Sequence, residues 1–204
     1  MKVGVTSLIN EKGAYIGTFT RAEYVNSPKG TQGIEFDFKS NDGQTAKYLT
    51  IWTVNGDGKE LYGRSVIDAI MTAVGVRELQ AAPVTVPKWD NVRKEDVNET
   101  VTGFKALMGP QIGLVLCREE YASNQGERKW KSMIVCPFEA STRRTAGERL
   151  KQAVGADVVM LDRIMATLAD RPLKSNARPA PSNTGAGAGF GGGFDDIPND
   201  DMDF

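Results

Sequence analysis

The sequence predicts a mainly β domain with flanking helices, an α+β chain, followed by an extended tail. Three observations carry this expectation. Runs rich in Val, Ile, Thr, Tyr and Phe alternate with dense turn signals through the first 54 residues. One run of helical period falls midway and two more follow near residue 150. Beyond residue 171 the composition turns to Pro and Gly, including GAGAGFGGGF, which cannot bury enough apolar surface to offset the entropy of ordering it.

Segments 2–9 and 14–25 are the first expected strands, the second ending at the turn signal Asn26-Ser27-Pro28-Lys29-Gly30. Segment 33–40 alternates cleanly, with Ile34, Phe36 and Phe38 on one face and Glu35, Asp37 and Lys39 on the other, as a half-buried strand does. Asn41-Asp42-Gly43 supplies a hairpin turn into 45–54. Strict alternation there puts Leu49, Ile51 and Thr53 on one face with Lys47, and Tyr48, Thr50, Trp52 and Val54 on the other. The spacing of Val66, Ile67, Ile70, Met71 and Val74 predicts a helix over 65–74, with Gly75 as its stop.

Residues 76–104 contain Pro83, Pro87 and Trp89 with little periodicity and read as a long connection or excursion. Strand character returns at 111–118, and Ser123-Asn124-Gln125-Gly126 turns the chain into a further strand over 128–138. Helices are expected at 145–154 and 157–169, the second with an apolar stripe of Val158, Leu161, Ile164, Met165 and Leu168 suited to packing on a core. The chain thus divides into a domain at 1–170, a flexible Pro/Gly-rich linker at 171–194 and an acidic tail at 195–204.

With 204 residues, 40% of them hydrophobic, the chain has material for one sizeable core. The start MKVGVTSLIN has too short an apolar stretch for a secretory signal, and no run of about 18 apolar residues occurs. A cytoplasmic protein with no membrane partner is expected. Histidine is absent, which removes the commonest general base and the commonest zinc ligand. Cys117 and Cys136 read as reduced, buried thiols rather than a disulfide framework.

Gly56-Asp57-Gly58-Lys59 lacks the spacing of a phosphate-cradling loop, the glycines at 185–193 join no strand to a helix, and the adjacent Glu119 and Glu120 diverge on a strand. No catalytic residue, metal site or cofactor is predicted, so a binding protein is expected rather than an enzyme.

The net charge of -1 conceals an asymmetry. The last ten residues, DDIPNDDMDF, hold five of the 26 acids and none of the 25 bases, leaving 21 acids against 25 bases in residues 1–194. A basic body of +4 therefore carries an acidic end of -5, a pattern that points to nucleic-acid proteins. Nucleic acid bound without sequence preference needs cations along its backbone and aromatic rings under its bases. Lys47, Tyr48 and Trp52 combine these on one expected strand, and Arg128, Lys129, Trp130 and Lys131 on another. On the second, Arg128 and Trp130 share one face while Lys129 and Lys131 share the other. The competing reading is that strand aromatics fill a core and strand lysines guard an edge.

Two segments carry a family resemblance. The stretch from Gly17 to Val76, through FDFKSNDGQTAKYLTIW, followed by a second β half, resembles phage-type single-stranded DNA-binding proteins with an oligonucleotide/oligosaccharide-binding (OB) fold. The ending resembles the family's acidic tail, with Asp195-Asp196-Ile197-Pro198 and a terminal Phe204, but with Asn199 to Asp203 inserted between Pro198 and that Phe.

The resemblance implies an OB-fold-like five-stranded barrel that binds and protects single-stranded DNA in replication, recombination or repair, in the host cytoplasm if phage-encoded. It implies that the tail, through Asp195, Asp196, Ile197, Pro198, Asp200, Asp201, Met202, Asp203 and Phe204, recruits replication or recombination proteins. A homo-oligomer is compatible with it. Physically, five carboxylates imitate a short phosphate backbone, while Ile197, Met202 and Phe204 are apolar anchors. A solubilising terminus, or an adaptor whose body binds protein or double-stranded nucleic acid, are the alternatives.

Overall fold

The computed structural model describes residues 7–90, 92–123 and 125–173. Most of the strand expected at 2–9, the linker from 174 and the acidic tail at 195–204 lie outside the described residues. Within them the chain forms β1 (Gly13–Asn26), β2 (Gln32–Ser40), β3 (Thr45–Val54), α1 (Gly63–Val74), β4 (Ala82–Asp90), β5 (Glu95–Gly103), β6 (Gln111–Ala122), β7 (Arg128–Phe138), α2 (Ala146–Leu150) and α3 (Met160–Thr167). The molecule is mostly β, with an antiparallel sheet and few helices, as composition and periodicity predict.

The long β1 organises the sheet. One of its edges takes β2, which in turn takes β3. Its other edge is shared, residues 13–18 pairing with β6 and Glu23 pairing with Gly103 of β5. The hairpins β4–β5 and β6–β7 therefore leave the same edge of β1 at different heights. Residues 7–9 lie between β3 and β7. Ile9 N–H donates to the Thr45 carbonyl at 2.8 Å, and the Ile9 carbonyl accepts from Ser132 Oγ at 3.4 Å.

Phe36 and Phe38 alternate into the core as expected, where both rings meet Phe19, at centroid separations of 4.4 and 6.0 Å. Leu49, Ile112 and Leu114 complete that layer, and α1 closes it with Val66, Ile67, Ile70 and Ala73. Gly75 adopts φ 76° and ends α1 as expected, because a left-handed C-cap costs glycine no Cβ clash. A second, smaller cluster joins Val115, Cys136 and Phe138 to Leu161, with Ile164, Met165 and Leu168 of the predicted stripe packed against it. Both thiols are free and buried, and burial pushes the Cys136 thiol up to about 12.

Two expectations change. Residues 76–104 are not a plain connection, since 82–103 form the β4–β5 hairpin, two strands that the sequence pattern does not announce. Pro83 and Pro87 are tolerated because β4 is the outermost strand of its arm, where a missing N–H costs no ladder bond and blunts the open edge. The C-terminal helices are shorter than 145–154 and 157–169.

A buried carboxylate spans the break between these helices. Glu148 accepts from Thr145 N–H and Oγ1 in a capping box, while its other oxygen accepts from Val159 and Met160 N–H, each at 2.8 Å. Burial opposes its charge, but those backbone donors prevail and hold its carboxyl below the usual range. Among the described residues no helix is long and apolar enough to cross a membrane.

Candidate nucleic-acid interface

On the face of β1–β2–β3 turned away from the core, cross-strand register builds rows of facing residues. Arg21 opposes Asp37, Glu23 opposes Glu35 and then Thr50, and Val25 opposes Gly33 and then Trp52. Trp52 is only partly covered and lies over Gly33. A Cβ at Gly33 would come within 2.9 Å of Trp52 Cε3 and 2.4 Å of the Ile51 carbonyl, so the missing side chain makes room for the ring.

The expected alternation of β3 fails between Lys47 and Leu49. Register slips opposite residues 36–38, and Tyr48 takes φ 60°, an uncommon conformation for a bulky side chain. Ala46 and Leu49 both reach the core, leaving Lys47 and Tyr48 outside it together. Lys47 therefore does not share the buried face of Leu49. The Tyr48 N–H donates to Asp37 Oδ1 at 2.9 Å, which holds the bulge.

Sequence reasoning missed the residue at the centre of this face. Arg21 is 1% exposed and forks onto Asp37, with Nε–Oδ2 at 3.1 Å and Nη2–Oδ1 at 2.9 Å, while Nη1 donates to Glu23 and Glu35 at 2.7 and 2.8 Å. The Tyr48 ring lies 5.4 Å from the guanidinium. Burial alone would lower the Arg21 pKa, but its carboxylates outweigh burial and raise it. The signal available in sequence was the i, i+2 pairing of Arg21 with Glu23 facing Glu35 with Asp37. Lys88 of β4 adds a further cation, 3.1 Å from Glu23 Oε1.

Arg128, Lys129, Trp130 and Lys131 lie on the outer half of the β6–β7 hairpin, an arm that continues past the start of β1 and leaves all four exposed. Arg128 and Trp130 share one face, as expected, and Lys129 and Lys131 the other. The first face adds Arg118, 5.2 Å from the Trp130 ring, and the second adds Tyr121, whose ring lies 5.9 Å from Lys131 Nζ. Each face thus carries an aromatic ring beside a cation. Residues 170–173 run along the open edge of β6 at this arm. Arg171 exchanges backbone bonds with Arg118 and Glu120 at 2.7 and 2.8 Å, and Asp170 receives the Arg118 guanidinium.

Ile9 joins the two groups, since it bonds both Thr45 at the start of β3 and Ser132 next to Lys131. Trp52 stands toward the opposite end of β3. The cations are not bare. Lys47 meets Asp96 at 3.0 Å, Arg128 meets Glu120 at 3.5 Å, Lys129 meets Glu127 at 3.2 Å and Lys131 meets Glu119 at 3.1 Å. Glu120 is largely covered and also accepts from Leu173 N–H, but the other three pairs are open to solvent and contribute only about 0–1 kcal/mol, so a phosphate can take the place of the carboxylate there at small cost. Among the described residues no group of three or more His, Cys, Asp or Glu is placed to hold a metal ion. No protein-family model and no curated protein matches the chain.

Proposed function

We propose that this chain is a phage-type single-stranded DNA-binding protein, a non-enzymatic module that coats and protects single strands without strong sequence preference during replication, recombination or repair. The observation that carries it is the repeated placing of a ring beside a cation, the exposed Tyr48 next to Lys47 on β3, the exposed Trp130 by Arg118 and the half-buried Tyr121 by Lys131 on the β6–β7 arm.

An OB-fold-like barrel fits the chain order. A three-stranded meander leads to a helix, and of the two later strands β6 returns to β1 while β7 pairs with β6 and comes against β3. In this reading β4–β5 is an insertion into that plan. The acidic tail recruits replication or recombination partners and, tethered beside the arm from residue 173, competes for the same cations at high effective concentration.

One observation favours a second reading. The outward face of β1–β2–β3 holds three carboxylates around one buried arginine, a surface less basic than a phosphate backbone prefers. A protein-interaction adaptor would be built on such a face, whereas a module for double-stranded nucleic acid, with its denser phosphate charge, would bind elsewhere on the chain.

Competition separates the readings. A labelled single strand should be displaced by unlabelled single strands and not by an equal mass of duplex, and deleting residues 195–204 should tighten binding. Displacement by duplex at equal or lower concentration would overturn the proposal in favour of a double-stranded nucleic-acid module, and no binding of either form would leave the adaptor.

A further inference from the structure

The β4–β5 hairpin carries Trp89, which the two groups described above do not include. Resting on the function proposed above, the geometry points to Trp89 as a further base-stacking platform, held by this hairpin beside Lys47 and Tyr48. Single-stranded nucleic acid then lies in a groove with β3 as one wall and the hairpin as the other.

Strand alternation explains why the ring is available. Val84 and Val86 point to the buried face of the hairpin, and the opposite face presents Pro83, Thr85, Pro87 and Trp89. A tryptophan serving as a loop anchor would be covered, yet Trp89 remains 43% exposed. Its position is nonetheless fixed. The next residue, Asp90, accepts from Val92 and Arg93 N–H at 2.7 and 3.0 Å, which pins the turn directly beyond the ring.

Register and ion pairs then place this ring in the candidate interface. Trp89 stands directly opposite Asp96 on β5, and facing side chains on paired strands lie about 5 Å apart at Cβ. Asp96 Oδ1 holds Lys47 Nζ at 3.0 Å, and the residue after Lys47 is Tyr48, 53% exposed. Lys88, adjacent to Trp89, reaches the body from the hairpin's other face through Glu23. Two exposed rings from segments about 40 residues apart in sequence thus flank a lysine whose partner is a displaceable carboxylate. This is the composition a single strand needs, with bases on Tyr48 and Trp89 and a phosphate taking Lys47 from Asp96.

The test uses the full chain, a dye-labelled mixed-sequence single strand read by anisotropy, and intrinsic tryptophan emission read in parallel. Trp89→Phe keeps a flat ring, so affinity should stay within about twofold while the tryptophan quench on saturation shrinks. Trp89→Ala removes the platform and should weaken binding roughly 5- to 150-fold, the range that loss of one base stack gives. Thr85→Val, on the same hairpin face but farther from Lys47, should change neither reading. Binding by anisotropy with an unchanged quench in Trp89→Phe and unchanged affinity in Trp89→Ala would overturn the assignment of Trp89 and leave the function standing. No anisotropy change with the native chain would overturn the function itself.

Discussion

The face of β1–β2–β3 and the arm of β6–β7 carry similar side chains on opposite kinds of support. Behind Tyr48 and Trp52 stands the packed layer of Phe19, Phe36, Phe38 and Leu49, with the Arg21 network holding the outward surface. Around Trp130 there is only a two-stranded ribbon, exposed on both faces and bounded on its open edge by residues 170–173. A ring on the first support is positioned before ligand arrives. A ring on the second can follow a strand whose path varies. Under the proposed function, groups of one composition would divide the work of binding, one fixing register and the other accommodating the irregular backbone of an unpaired strand.

The sharpest break of this comparison is at Arg21. Arg21→Met leaves Glu23, Glu35 and Asp37 without their shared cation, and uncompensated buried charge of this kind costs about 3–5 kcal/mol. Urea unfolding should show a loss of that order and weaker DNA binding, whereas Lys131→Met on the arm should leave the unfolding midpoint nearly unchanged.

A smaller effect separates the arm's footing from the β3 face. Glu148→Ala removes the carboxylate that caps both C-terminal helices, next to the cluster on which the base of β7 rests, and should cost about 1–3 kcal/mol. Because the folded-state pKa of Glu148 is depressed, its stabilisation is present above the unfolded value and is lost as pH falls through the folded one. Native protein should therefore lose stability from about pH 4.3 downward, and Glu148→Ala should lose less over that window. Circular dichroism melts at stepped pH read both.

Smallest in stability, but direct in function, is the pair Trp130→Ala and Trp52→Ala. Each should weaken single-stranded DNA about tenfold. Only Trp52→Ala should also lower the melting temperature, because its ring packs over Gly33 while Trp130 is 45% exposed. Equal melting shifts would remove the distinction between the two supports.

How much of this was legible in the sequence follows from the same physics. Ile34, Phe36 and Phe38 announced β2 because one of its faces is buried and the other wet, and α1 announced itself through the spacing of its apolar residues. The β4–β5 hairpin escaped because the two prolines of β4 look like punctuation and mask its alternation about Val84 and Val86, while EDVNETVTG buries almost nothing and shows none.

Lys47 was misplaced by a single bulge, which local pattern cannot reveal because Tyr48 in a left-handed conformation is held by Asp37 from a neighbouring strand. The face division of Arg128, Lys129, Trp130 and Lys131 was legible because β7 is regular there, whereas their carboxylate partners on β6 required the register. Arg21 was invisible as a buried residue because only its three partners make its burial tolerable.

The most direct measurement is a salt series on the native chain, titrating a labelled single strand by anisotropy between 50 and 200 mM salt. If Lys47, Arg128, Lys129 and Lys131 exchange carboxylates for phosphates, log affinity should fall linearly with log salt, with a slope near -3 for four contacts on a single strand. Tryptophan quenching should accompany binding at every salt concentration. Failure to bind at 50 mM, or binding without quenching and without dependence on salt, would contradict single-stranded DNA binding by stacked rings and exchangeable cations.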